Sequence, residues 1–274
     1  FMASLAACNE AENNIQGRLP VEQVGNVHFE TSCSPDVAGE FDRAAALLHS
    51  FWFPVAIEAF EAVLEEDQNC GVAHWGIAVS LWGNPFAAGP SSSAIEDGWG
   101  HVQLGLADTD QTERERDYLL AAGELYRDAS SVAQRTRMLN YEIAMAQIAE
   151  RFSDDSEARL FHALALTMTA LPTDKTYANQ LEAAAILEVE FEVQPDHPGI
   201  AHYIIHSYDH PPLAPMGLEA ARRYASIAPS VPHALHMPSH IFTRVGEWEA
   251  SIATNIQSAD AALSTNTVGS ALHA

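Results

Sequence analysis

Ile200-Ala201-His202-Tyr203-Ile204-Ile205-His206 and Ala234-Leu235-His236-Met237-Pro238-Ser239-His240 are two versions of one phrase. Each carries a His-x-x-x-His pair in an apolar setting. Side chains four residues apart lie on one face of a helix, one turn from each other. His202 and His236 are 34 residues apart, and so are His206 and His240. Recurrence at a fixed period of this size marks stacked supersecondary units, each too small to bury its own apolar face.

Working outward, four stretches share one grammar of an Ala-rich amphipathic helix, a short acidic or proline turn, and a second helix. They are 56–67 into 72–82, 141–152 into 157–169, 181–193 into 199–208, and 218–227 into 233–245. Asp154-Asp155-Ser156-Glu157 supplies N-cap candidates. Asp196-His197-Pro198 and Ser230-Val231-Pro232 set a proline at a helix start, one repeat apart. Pro211-Pro212 and Val245-Gly246 mark helix ends. Thirty-four residues is the tetratricopeptide period, and Ala56-Ile57-Glu58-Ala59-Phe60 fits its alternation of small and aromatic residues. The expected fold is therefore all-α, a right-handed superhelix of tetratricopeptide-like helix pairs (an α-solenoid) over residues 26–274. An irregular helical bundle is the alternative. Residues 86–137 fit the repeat poorly and contain the loop signal Gly89-Pro90-Ser91-Ser92-Ser93, so insertions are expected there. Ala271-Leu272-His273-Ala274 reads as a repeat just beginning, which makes the last repeat incomplete.

Composition narrows the function. Of 274 residues, 47% are hydrophobic, enough for a sizeable core. With 13 Lys+Arg against 37 Asp+Glu the net charge is −24, which repels phosphate backbones and argues against a nucleic-acid partner. No apolar run reaches the roughly 18 residues of a membrane-spanning helix. Leu5-Ala6-Ala7-Cys8 reads as a lipobox, so residues 1–25 are assigned to a lipoprotein-like N-terminus, lipidated at Cys8, and a polar linker. The expected location is exported, periplasmic or membrane-anchored as a bacterial lipoprotein, with membrane contact only through that lipid. In an oxidising compartment Cys33 and Cys70 are expected to pair; the other reading is two buried thiols.

Thirteen histidines is a high count. His49, His74, His162, His202, His206, His236, His240 and His273 are assigned to one class of helix, the one that follows the turn in the stretches above, taken as the groove-lining first helix of a repeat pair. His202, His206, His236 and His240 are the primary metal-ligand candidates, because two imidazoles one helical turn apart can reach one ion. His74 joins them, since Val72-Ala73-His74-Trp75 matches Ile200-Ala201-His202-Tyr203. His49, His162, Asp209, His210, His233 and His273 are assigned to the groove or to positions behind the ligands. A zinc protease needs Glu directly after the first histidine, where Tyr203 and Met237 stand instead. Imidazole donors suit zinc, copper or iron. Pro238, inside the second pair, is expected to disturb the helix. A groove histidine with a satisfied hydrogen bond is the bland reading.

The phrases Phe29-Glu30-Thr31-Ser32-Cys33, Leu47-Leu48-His49-Ser50-Phe51, Ala73-His74-Trp75-Gly76-Ile77-Ala78, Ala201 to Asp209 and Pro232 to Phe242 resemble a family of bacterial tetratricopeptide-repeat proteins often predicted to be exported. The resemblance runs from about residue 25 to the end. It implies the helical fold and carries no activity. Three functions follow as expectations. The first is an envelope binding scaffold whose histidine-lined concave groove binds a transition metal. The second is a metal-dependent oxidoreductase or hydrolase using the same cluster. The third is a metal-free module that takes a peptide, protein or small molecule in the groove.

Overall fold

The computed structural model describes residues 22–265, which form thirteen α-helices and two short 3-10 turns, with no strand among them. The helices are α1 (Ala38–His49), α2 (Phe53–Glu66), α3 (Gly71–Trp82), α4 (Ser92–Ala107), α5 (Glu113–Tyr126), α6 (Gln134–Arg151), α7 (Ser156–Thr169), α8 (Ala178–Val193), α9 (Pro198–Tyr208), α10 (Leu218–Ile227), α11 (Pro232–His236), α12 (Pro238–Val245) and α13 (Trp248–Ser264). Nearly every helix packs on the next in sequence, and α1 on α3, α3 on α5, α7 on α9 and α10 on α12 repeat the contact two helices on. That is the packing of a helical repeat, where each unit buries its neighbour's apolar face. A contact between helices far apart in sequence departs from it: α1 also packs on α9. The array therefore curls far enough to bring its first helix against a late one.

Residues 86–137 are largely helical, with the expected loop at Gly89-Pro90-Ser91 in the connection before α4. They form α4 and α5 and reach α6, packed as regularly as the rest. Ser91 caps α4 by accepting from the Ala94 N–H. Thr112 and Glu115 form a capping box at the start of α5. Two glycines of α4 serve close approach. A Cβ at Gly98 would stand 2.4 Å from the Tyr126 ring, and one at Gly105 would stand 2.8 Å from the Gly71 carbonyl. Pro238 does divide the last repeat, separating α11 from α12. Met237 between them keeps helical angles (φ −53°, ψ −35°), so the turn is preserved.

The core centres on an aromatic cluster. The Trp75 ring lies 5.0 Å from Phe29, 5.2 Å from Tyr118 and 5.2 Å from Phe161. Phe29 belongs to the extended segment before α1. That segment packs from residue 22 onward: Val24 is buried, Gln23 and Ser230 exchange hydrogen bonds, and Ser32 donates twice to Glu115. Its four residues before 26, read in the sequence as the end of a linker, thus belong to the packed body. A disulfide joins Cys33, in this segment, to Cys70, the N-cap residue of α3. The closed loop spans 37 residues. Removing the bond, by Cys33→Ala with Cys70→Ala or by reduction, is expected to cost about 2–4 kcal/mol of stability with helical circular dichroism retained. A urea-unfolding midpoint that does not move would contradict this.

Candidate metal centre

The centre begins with helix α9. Pro198 opens it, and His197 caps it through Nδ1, which accepts from the Gly199 N–H at 3.1 Å. Nearly every side chain of α9 is buried, among them His202. His202 Nδ1 lies 2.7 Å from the main-chain carbonyl of His49, at the end of α1. A carbonyl only accepts, so Nδ1 carries the proton and Nε2 presents a bare lone pair. That Nε2 stands 3.1 Å from His206 Nε2 and 3.2 Å from His233 Nε2. One lone pair can accept one N–H, so a hydrogen bond accounts for at most one of these two contacts.

The second pair is built the same way. His240 Nδ1 donates to Asp209 Oδ2 at 2.9 Å, and Asp209 is gripped from its other oxygen by Arg244. His236 Nδ1 lies 2.8 Å from Asn255 Oδ1, on α13. With both Nδ1 atoms donating, the Nε2 lone pairs of His236 and His240 point at each other across 3.0 Å. Two Nε2 atoms facing each other at that distance call for a proton or a cation between them. The His233 and His236 ring centroids, 6.1 Å apart, connect the two groups.

Burial disfavours charge on His202 and His206. Burial, with like charge nearby, pushes His202 down to about 3. Burial and repulsion from the other four cluster histidines hold His206 well below its ordinary range. Phe51 forms one wall, with its ring 4.3 Å from His202 and 5.7 Å from both His206 and His233. Its backbone is left-handed (φ 55°), a conformation that costs a bulky residue about 1–3 kcal/mol. Phe86 stacks on His206 at 4.2 Å, and Tyr224 stacks on His202 at 5.3 Å. An apolar wall of this kind sets water access and local dielectric.

Behind the cluster lies a second constellation. Glu157 accepts from His49 Nε2 at 2.7 Å and from His197 Nε2 at 2.9 Å, with His49 Nδ1 at 2.9 Å from the Tyr203 hydroxyl. All three ionisable side chains are at most 2% exposed. Burial alone would raise the Glu157 carboxyl; the two imidazoles outweigh it and hold the group well below the usual carboxylate range. Three ligand-type atoms lie close here, and their chemistry would suit an ion. Both nitrogens of each imidazole already have partners, however, so we read the triad as a closed hydrogen-bond network. A third grouping, Cys33, Asp67 and Cys70, offers no thiolate because the cysteines are bonded to each other.

Of the sequence-selected residues, His202, His206, His236 and His240 come together, and His233 joins them as an equal partner. His74 pairs elsewhere: its Nδ1 faces that of His101, on α4, at 3.0 Å. His49 and Asp209 stand behind the ligands as orienting groups. His162 is half-buried on α7 near Glu182 and Glu142, and His210 packs on Tyr177 at 5.0 Å. Cys8 and His273 lie outside the described residues. Sequence reasoning missed Phe51, Phe86, His101, Glu157, His197 and Asn255. His101 and His197 fall outside any His-x-x-x-His spacing, and no local pattern singles out the others.

No protein-family model matches the chain, and a search of the curated proteins found none similar to it.

Replacing Glu157 by Gln turns one acceptor into a donor that faces a ring N–H. The expected loss is about 3–5 kcal/mol, measured by urea unfolding, and a loss under about 1 kcal/mol would refute the network. A pH dependence follows as well. Unfolded imidazole takes a proton near its ordinary value of 6.5, whereas folded His202 resists until about 3 and half-buried His74 until about 4. The unfolded chain thus binds more protons below 6.5, and stability falls as pH falls. In the presence of chelator, the unfolding midpoint is expected to drop steadily from pH 7 to pH 5. A flat or rising midpoint would contradict the buried neutral imidazoles.

Proposed function

We propose that this chain is a tetratricopeptide-like helical-repeat binding protein of the bacterial envelope, and that its histidine-lined concave groove holds a late first-row transition metal ion. The observation that carries the reading is the convergence of imidazole Nε2 atoms, with the Nδ1 atoms of His202, His236 and His240 engaged behind them. Metal-binding histidines are oriented in this way, with the far nitrogen donating to a carboxylate or carbonyl that fixes tautomer and ring direction. Asp209 does this for His240, and the His49 carbonyl does it for His202.

The spacing fits as well. For metal–nitrogen bonds of about 2.1 Å, two ligands stand about 3.0 Å apart at an octahedral edge and about 3.4 Å apart at a tetrahedral one. The contacts of 3.0 to 3.2 Å fall in or near this interval. An all-imidazole donor set suits copper, zinc or iron and suits magnesium or calcium poorly. The disulfide agrees with an exported location, where such bonds persist. When bound, the ion would supply Lewis acidity; the chain's part is to hold His202 and His206 neutral, to aim the ligands, and to wall them with Phe51 and Phe86.

One observation favours the enzyme reading as a second choice. His202, His206 and His233 are three ligands within mutual reach, the number that catalytic zinc sites supply while leaving a position for water or substrate. A metal-free groove for a peptide or small molecule is the third reading. A proton shared by His236 and His240 is the competing explanation of their contact.

Metal analysis of the full chain, purified without chelators and then titrated with Zn2+ or Cu2+, separates these. At least one tightly held ion is expected. His202→Ala with His206→Ala is expected to lower the bound metal, and Asp209→Asn to weaken affinity by about 10- to 100-fold. A folded intact protein that takes up no Zn2+ or Cu2+ overturns the reading.

A further inference from the structure

Five imidazoles are more than one ion of this kind requires, and they do not form one set. The ligand nitrogens of His202, His206 and His233 all lie within 4.8 Å of one another, and His236 and His240 stand outside that group. With bonds of about 2.1 Å, even opposite ligands of one ion are only about 4.2 Å apart, so a single ion needs all of its ligands mutually close. His236 and His240 meet instead at their own Nε2–Nε2 contact of 3.0 Å.

Each group also has its own anchoring. The first is aimed by the His49 carbonyl and walled by Phe51 and Tyr224. The second is aimed by Asp209 and Asn255. The helices explain the doubling: α9 carries one His-x-x-x-His pair, and α11 with α12 carries its repeat-related copy. His233, on α11, leans back toward the α9 pair with its Nε2 3.2 Å from His202 Nε2. Consecutive repeats therefore present two adjacent imidazole sets whose rings approach to 6.1 Å between His233 and His236. The order in sequence repeats too, a pair followed by a later histidine: His202 and His206 then His233, His236 and His240 then His273.

Resting on the metal-binding reading above, we propose that the cluster is a dinuclear centre. One divalent late first-row ion sits on His202, His206 and His233, and a second sits on His236 and His240. Neighbouring ions of this kind are commonly about 3.5–4 Å apart and share a small oxygen ligand such as hydroxide. The small-ligand class that this site takes is then a bridging oxygen donor, shielded by Phe51 and Phe86. The repeat period generates the paired site: duplicating a two-helix unit duplicates its ligand pair, and stacking sets the copies side by side.

Copper distinguishes the outcomes. The full chain is stripped with chelator, titrated with Cu2+ and desalted, and bound copper is measured together with the electron paramagnetic resonance signal. Two equivalents are expected, with the signal falling as the second binds because adjacent Cu2+ spins couple. His236→Ala with His240→Ala, and separately His206→Ala with His233→Ala, are each expected to retain one equivalent with a full single-copper signal, with folding checked by circular dichroism. One equivalent in the unaltered chain overturns the dinuclear proposal and leaves the metal-binding reading standing. Two equivalents with undiminished signal place the ions apart and also overturn it. No bound copper in either unaltered or altered chains overturns both. If a variant fails to fold, the stoichiometry and signal of the unaltered chain still decide.

Discussion

A carboxylate buried at Glu157 cannot stay ionised without compensation, because taking an unpaired charge out of water costs far more than the fold's whole net stability. Here the compensation comes from three directions. His49 at the end of α1 and His197 at the start of α9 both donate to it, and Glu157 sits in the first turn of α7, where the helix dipole favours an anion. Three helices from distant parts of the chain are therefore held in one arrangement. The α1–α9 contact, which a strictly linear repeat array lacks, is the packing side of the same constraint.

The metal centre inherits its geometry from that arrangement. The residue whose side chain binds Glu157 is also the residue whose carbonyl aims His202. The next turn of chain carries Phe51 in its left-handed conformation over the cluster. Strained backbone of this type persists only where its surroundings over-determine it. The disulfide and the packed segment before α1 belong to the same over-determination, since they hold the N-terminal helices against α3 and α5. The site is thus supported by rigid helices and a fixed loop, the condition under which imidazoles keep their direction when neutral and mutually crowded.

The two ligand groups show how a repeat makes a site. A lone His-x-x-x-His pair in a groove would need only a hydrogen bond to be satisfied. Two pairs on stacked units, with the Nδ1 atoms of His202, His236 and His240 engaged behind them, set Nε2 against Nε2. Pro238 fits this reading: it interrupts the helix without moving His240 off the face shared with His236, because Met237 holds helical angles across the break.

Helix class, period and both histidine pairs were legible in the sequence by itself, because each is a local or periodic property: side chains four apart share a helix face, and a repeat shows as spacing. Local reasoning fell short over residues 86–137: it placed the loop at Gly89-Pro90-Ser91 but did not resolve α4 and α5 as members of the array. It also failed where partners are remote. The orienting carbonyl of His49 is 153 residues from His202, and Glu157 is 108 from His49. Whether His74 or His233 joins the cluster depends on how far the helical array curls, and that is set by the α1–α9 contact and the buried carboxylate beneath it. The sequence determined which imidazoles were candidates; only tertiary packing decided which of them meet, because convergence is a property of helix positions that no local spacing encodes.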